Sequence, residues 1–156
     1  MTADPHITLV EFLRARLDED EQAATDAAES KDRSWRVATD VGDYVNMAVV
    51  TATAVEKLQR GYDGSLLVSP GDYVVPCGKE DGYGAGTDLA IHIARHDPAR
   101  VLADVEAKRR IVESITTYAL VPTAPLTPWH HHGSEVLRLL ALPHVGHPDY
   151  RAEWAV

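Results

Sequence analysis

The sequence predicts an α+β fold that is mainly helical. Three features predict it: a long amphipathic run near the start, a central pair of helical segments broken at Asp97-Pro98, and a small antiparallel β element between them. Residues 6–30 carry Leu9, Phe12, Leu13 and Leu17 at helical spacing on one face. Asp4-Pro5 or Thr8 supplies the start, since proline fits the first turn of a helix. The acidic run Asp18 to Glu21 reads as a solvated face on the second half.

Past residue 31 the character changes. Trp35 and Val37 around the polar Arg36 predict a short strand over Ser34 to Thr39. Residues 44–60 hold many β-branched side chains without clean alternation. Their end, Ala54-Val55-Glu56-Lys57-Leu58-Gln59-Arg60-Gly61, has basic residues and a glycine stop, so the segment is read as a helix. Leu66-Leu67-Val68 and Tyr73-Val74-Val75 flank Ser69-Pro70-Gly71-Asp72, which predicts a hairpin. Residues 78–87 follow as a glycine-rich loop.

Asp88 to His96 is read as a short helix. Asp97 then acts as an N-cap, and Pro98 opens a second helix to about Thr117. Val101, Leu102, Val105, Val112 and Ile115 form its apolar stripe, and Glu106 can pair with Arg109 or Arg110 along the helix. Three prolines keep Val121 to Pro128 extended or in a loop. Ser134 to Leu142 is a short C-terminal helix ended by Pro143, with Trp154 expected to pack back. There is no internal repeat, and residues 1–156 are expected to form a single domain, close to the usual domain length.

Composition narrows the function classes. The hydrophobic fraction is 45% and the charged fraction 25%, both ordinary, while aromatics at 6% leave the core to aliphatic side chains. A net charge of −9 repels phosphate backbones, so nucleic acid is not the expected partner. The single cysteine, Cys77, excludes an internal disulfide and a Cys-x-x-Cys knuckle. The first residues lack a basic stretch followed by an apolar run, and no apolar run approaches the ~20 residues that span a bilayer. The expected compartment is the cytoplasm, with no membrane association.

Seven of the eight histidines lie from His92 onward. His92 and His96 stand four apart on a helix, so both rings leave one face about one turn apart, a spacing that suits two ligands of one Zn²⁺. A third ligand is available in His130 to His132 or in Asp97. His92, His96, His130 and His132 are therefore the candidate metal ligands. The same pattern is met if His92 caps or packs near the helix break while His130-His131-His132 is a solvated loop. Residue 93 is Ile, so the glutamate of a zincin helix is missing.

The other motifs are incomplete. Gly82-Tyr83-Gly84-Ala85-Gly86-Thr87 lacks the third glycine of a dinucleotide fingerprint, and Asp88 opposes an anion there. No Gly-Lys-Ser/Thr and no Gly-x-Ser-x-Gly occurs. Cys77 reads as a buried structural thiol. No cofactor is expected other than the candidate Zn²⁺.

Four segments resemble a known family. They are Leu9 to Glu21, His92 to Leu102, Val105 to Ile111, and Leu137 to Pro143 with His147 to Trp154. Together they resemble a domain of unknown function found in small proteins of actinobacteria and their phages. The likeness covers the first helix and most of the last 65 or so positions, and is not clear over 31–87. It carries no activity to transfer. The resemblance implies that many relatives carry a Cys-x-x-Cys-like, zinc-knuckle-like cluster between the central helix and the Leu-Arg-Leu-Leu-Ala-Leu-Pro helix. This chain has Thr116 to Gly133 there, without cysteine. By that likeness a metal site has been lost, or Trp129-His130-His131-His132 supplies imidazoles instead.

With no complete catalytic constellation, the expected function is a non-enzymatic accessory or interaction protein. Its candidate surface includes Asp97, Arg100, Glu106 and Arg109, its partner is a protein, and a homodimer is compatible. The alternative is a metal-dependent hydrolase, such as a nuclease, with His92 and His96 as ligands and Asp97 as ligand or base. A third reading is a nucleic-acid-mimicking decoy.

Overall fold

A computed structural model describes residues 8–41, 45–51, 59–60, 62, 66–67, 73–77, 87–119 and 128–156. The described elements are α1 (Leu9–Lys31), β1 (Trp35–Val41), β2 (Val45–Thr51), β3 (Gln59–Arg60), β4 (Leu66–Leu67), β5 (Tyr73–Cys77), α2 (Thr87–Arg95), α3 (Pro98–Ala119) and α4 (Pro128–Ala141). Short 3-10 turns follow at Leu142–His144 and Ala152–Trp154. The fold is α+β and mainly helical. Two compact units divide the chain: Met1–Glu21 with Ala103–Val156, and Gln22–Leu102.

In the first unit α1 begins at Thr8 with a reciprocal cap. The Thr8 N–H and hydroxyl both donate to Glu11 Oε2, at 2.8 and 2.7 Å, and Glu11 N–H donates back to Thr8 Oγ1. These bonds favour the carboxylate and hold the Glu11 pKa below its ordinary value. The predicted stripe is the buried one, with Phe12 and Leu13 in a core completed by Val112, Leu137, Ala141 and Trp154. Gly133 lets α4 approach α3, because a Cβ there would meet Ile115 Cγ2 at 3.0 Å.

In the second unit the strands run in the order β3-β4-β1-β2-β5. β1–β2 and β2–β5 are antiparallel, with Val37 opposite Val49 and Val49 opposite Val75. A register shift falls between Val49 and Val50. β4 lies parallel to β1 through Val41 and Leu66 and antiparallel to β3. One face packs on α2, where Val49 and Ala90 are buried with Trp35, Val37, Val74, Ile93 and Ala94 around them.

Two expectations in this region are corrected. Residues 45–51 form strand β2 rather than a helix. β2 is flanked by β1 and β5, and consecutive Val49 and Val50 are both fully buried, so apolar residues are needed on both faces and alternation disappears. The hairpin between residues 66–68 and 73–75 does not form. Leu66–Leu67 pairs with β1 and β3, whereas Tyr73–Cys77 pairs with β2, so that β1 and β2 lie between the two segments in the sheet. Residues 52–58, the glycine-rich segment 78–86 and residues 120–127 lie outside the described residues.

α1 ends at Lys31, and Asp32 takes a left-handed φ of 72° there. The Arg33 carbonyl accepts the Ala99 N–H at 2.9 Å, tying the start of α3 to this turn.

Candidate functional site

His92 and His96 come together on the second unit as their spacing required. Both are exposed, and their ring centroids lie 4.3 Å apart, edge to face. His96 N–H is shared between the His92 and Ile93 carbonyls at 3.2 and 3.1 Å, so the pair sits where α2 unwinds. His130 and His132 belong to the first unit, on α4 and not in a loop. His132 is exposed, with Nδ1 3.9 Å from Glu135 Oε2. The His130 side chain is outside the described residues. Among the described residues, no three His, Cys, Asp or Glu side chains converge to hold a metal ion.

Asp97 is 7% exposed, and both its oxygens receive backbone donors. Oδ1 accepts the Arg100 N–H at 2.9 Å, capping α3, and Oδ2 accepts the Trp35 N–H at 3.3 Å. The carboxylate thus joins a helix start to the first residue of β1. Arg100 returns a guanidinium bond to the Arg95 carbonyl. Glu106 accepts from Arg110 Nε at 2.7 Å.

Arg109 reaches Asp18 at 2.5 Å and Glu21 at 2.7 Å on α1. Those two carboxylates raise the Arg109 pKa. The acidic run therefore holds a cation across two helices, although adjacent carboxylates on one helix diverge. Asp18 and Glu21, three apart, share a face.

Two further features of the first unit go beyond the sequence expectations, which placed Phe12 in the buried stripe and had Trp154 packing back. The first is a cluster around Phe12. His144, His147, Tyr150 and Trp154 place their rings within 6.1 Å of it, and Arg16 lies 5.2 Å over its face. Arg16 is buried, bonds the His147 ring and pairs with Glu19 at 2.6 Å. His147 Nδ1 also takes the Asp149 N–H at 3.1 Å. Burial lowers the His144 pKa, helped by Arg16, Lys108 and His147 and opposed by Asp20.

The second is an apolar row on the outside of α4. Leu137 and Ala141 face the core, whereas Val136, Leu139, Leu142 and Val145 stand exposed at three-residue intervals, Leu139 at 47% and Val145 at 55%. A helix that is apolar on both sides is normally covered on both. An open depression of about 380 Å³ beside it is lined by Ser134, Glu135, Arg138, Ala155 and Val156.

The four recognisable segments all fall within one family model, which matches residues 6–156. The chain belongs to DUF6221, a family of unknown function. The DUF6221 match includes the middle of the chain, over 31–87, where no segment resembles the family by eye, and it spans both compact units. No curated protein and no solved structure is significantly similar to this DUF6221 chain.

The exposed row could have been found in the sequence. Val136, Leu137, Leu139, Leu140 and Leu142 are too many apolar residues for one buried stripe on a short helix. Of the Phe12 cluster only the return of Trp154 was expected; His144, His147 and Tyr150 left no such signal, because they lie more than a hundred residues from Phe12.

Proposed function

We propose that this DUF6221 protein is a small non-enzymatic binding protein that engages a protein partner through the outer face of α4 and the turn after it. The supporting observation is that Val136, Leu139, Leu142 and Val145, four apolar side chains on α4 and the turn after it, are left in water. Monomeric proteins rarely leave contiguous apolar surface open unless it serves an interaction. In this reading the protein works in the cytoplasm of an actinobacterium or its phage. The charged residues Arg100, Glu106 and Arg109 hold partners within their own units. Among the described residues, no helix is long and apolar enough to cross a membrane.

The test places a photoreactive amino acid at position 139 and, as control, at Glu113 on an exposed face of α3. The captured species is identified by mass, and its binding is rebuilt from pure components. Leu139→Glu should then weaken binding at least about tenfold, the scale of a buried anchor residue. Equal capture from both positions, or no weakening, would sink the reading.

A second reading is a metal-dependent hydrolase using His92 and His96, favoured by their 4.3 Å ring separation on an exposed face. Both Asp97 oxygens already accept backbone N–H donors, so Asp97 is not counted as a ligand in this reading. Elemental analysis of untagged protein decides it. Less than about a tenth of an equivalent of Zn, Mn or Ni rules out a resident metal, because a three-ligand catalytic site retains its ion through purification.

A further inference from the structure

We infer that His92 and His96 form a two-imidazole chelate for a late first-row divalent cation, Cu²⁺ above all, and that the bound ion pins the last turn of α2. The inference stands apart from both readings above, since it needs neither a protein partner nor a third protein ligand.

Position comes first. Residues four apart on a helix carry their Cβ atoms about 5–6 Å apart on one face. Both imidazoles are exposed, and among the described residues neither makes a hydrogen bond or an ion pair; each meets the other edge to face. Turning a nitrogen of each ring toward a shared ion therefore gives up no native bond. Asp88 stands one turn before His92 on the same stripe of α2, and the net charge of −9 draws cations at long range. Arg95 and Arg100 oppose that attraction, the second with its guanidinium on the Arg95 carbonyl. The ion must then be one that imidazole holds by coordination, not one gathered by charge.

Distance selects the ion. With metal–nitrogen bonds of about 2.0–2.1 Å, an ion shared by two imidazoles sets their ring centroids about 4.5 Å apart at a right angle and about 5.2 Å apart at the tetrahedral angle. The observed 4.3 Å is closer to the right angle. Right-angled sites suit tetragonal Cu²⁺ and Ni²⁺, whereas Zn²⁺ prefers the tetrahedron. Affinity for nitrogen ligands also peaks at Cu²⁺. Among the described residues no third His, Cys, Asp or Glu converges on the pair, and both Asp97 oxygens hold backbone donors. Water fills the remaining positions, so the ion exchanges instead of staying resident.

The ion acts on the α2–α3 junction. His96 lies just past α2, and its N–H is divided between the His92 and Ile93 carbonyls. A bridge from His92 to His96 closes the same turn through the side chains, next to Asp97, which caps α3.

The experiment uses the full chain, untagged and stripped of metal, titrated with CuCl₂ and followed by amide NMR, since paramagnetic Cu²⁺ broadens nearby resonances. The His92, Ile93 and His96 amides should broaden first, below one equivalent and ahead of His130 to His132. A large excess of Zn²⁺ should restore them, whereas Ca²⁺ and Mg²⁺, which take oxygen ligands, should not. His92→Gln and His96→Gln should each raise the Cu²⁺ needed by more than the roughly tenfold that losing a ligand's own support costs. Circular dichroism verifies that both variants are folded. Saturating Zn²⁺ should slow hydrogen exchange at the His96 amide several-fold in the wild type and leave it unchanged in His92→Gln. Broadening that begins elsewhere and spares α2 overturns the chelate, as does a loss confined to one of the two variants. Exchange at His96 unmoved by Zn²⁺ overturns the pinning.

Discussion

Arg16 and His147 are hydrogen-bonded to each other across 131 positions of sequence, and both rest against the ring of Phe12. The guanidinium is buried, its Nη2 reaches Glu19, and its Nε has no partner. The contact fastens the 144–154 segment onto the first helix.

Phe12 is the post to which that segment is tied. Phe12→Ala should cost about 3–5 kcal/mol, the usual range for emptying a fully buried aromatic site. Arg16→Ala should cost less, about 1–3 kcal/mol, because it removes bonds to His147 but also relieves an unpaired buried Nε. Urea unfolding followed by tryptophan fluorescence measures both. A smaller loss for Phe12→Ala than for Arg16→Ala would contradict the packing described.

Acid should loosen this segment before it affects the rest. The folded His144 has a pKa below that of a free imidazole, so on acidification the unfolded chain takes up a proton that the folded chain resists. Its neutral form contributes fully above about pH 6.5, and stability falls as pH drops through the lowered folded value. His144→Phe should flatten the stability profile just below about pH 6.5. The Glu11 contribution, from a lowered carboxyl, is lost only further down, as pH falls through its folded value below the usual carboxylate range. A profile unchanged by His144→Phe would remove His144 as the source.

Asp97→Ala should destabilise by about 1–2 kcal/mol, since it deprives the Arg100 and Trp35 N–H groups of their acceptor. Asp97→Asn keeps an acceptor for the cap and should cost less than half as much. Hydrogen exchange at the Arg100 and Trp35 amides locates the effect; equal losses for both variants would mean that the negative charge, not the cap, matters.

Arg109→Ala should change stability by less than about 1 kcal/mol, since its partners Asp18 and Glu21 are solvent-exposed or nearly so. The difference between wild type and variant should shrink further in 0.5 M salt, measured by thermal unfolding at two ionic strengths. A salt-independent difference would point to packing by the side-chain stem instead.

What was legible in the sequence was local. Thr8, the stripe from Leu9 to Leu17, the strand at Trp35 and the Asp97-Pro98 restart all act within one or two turns of themselves. β2 was illegible because its neighbours, not its own pattern, bury it on both faces. The hairpin failed because turn residues report a change of direction and not which strand the chain will meet. His92 and His96 were placed correctly together, whereas His130 to His132 read as a loop because Pro128 was taken as an end when it opens α4. The outer row of α4 is visible in composition but gains meaning only once Leu137 and Ala141 are seen to face inward.

The closure over Phe12 also bears on biosynthesis. At about 5–20 residues per second, the 131 positions between Arg16 and His147 take roughly 7–25 s to synthesise. For that interval the nascent first helix has made its cap but has no core, and its apolar stripe faces the crowded exit of the ribosome. A chaperone that holds amphipathic segments would find its client there, and would be displaced only when Leu137, Ala141 and Trp154 emerge.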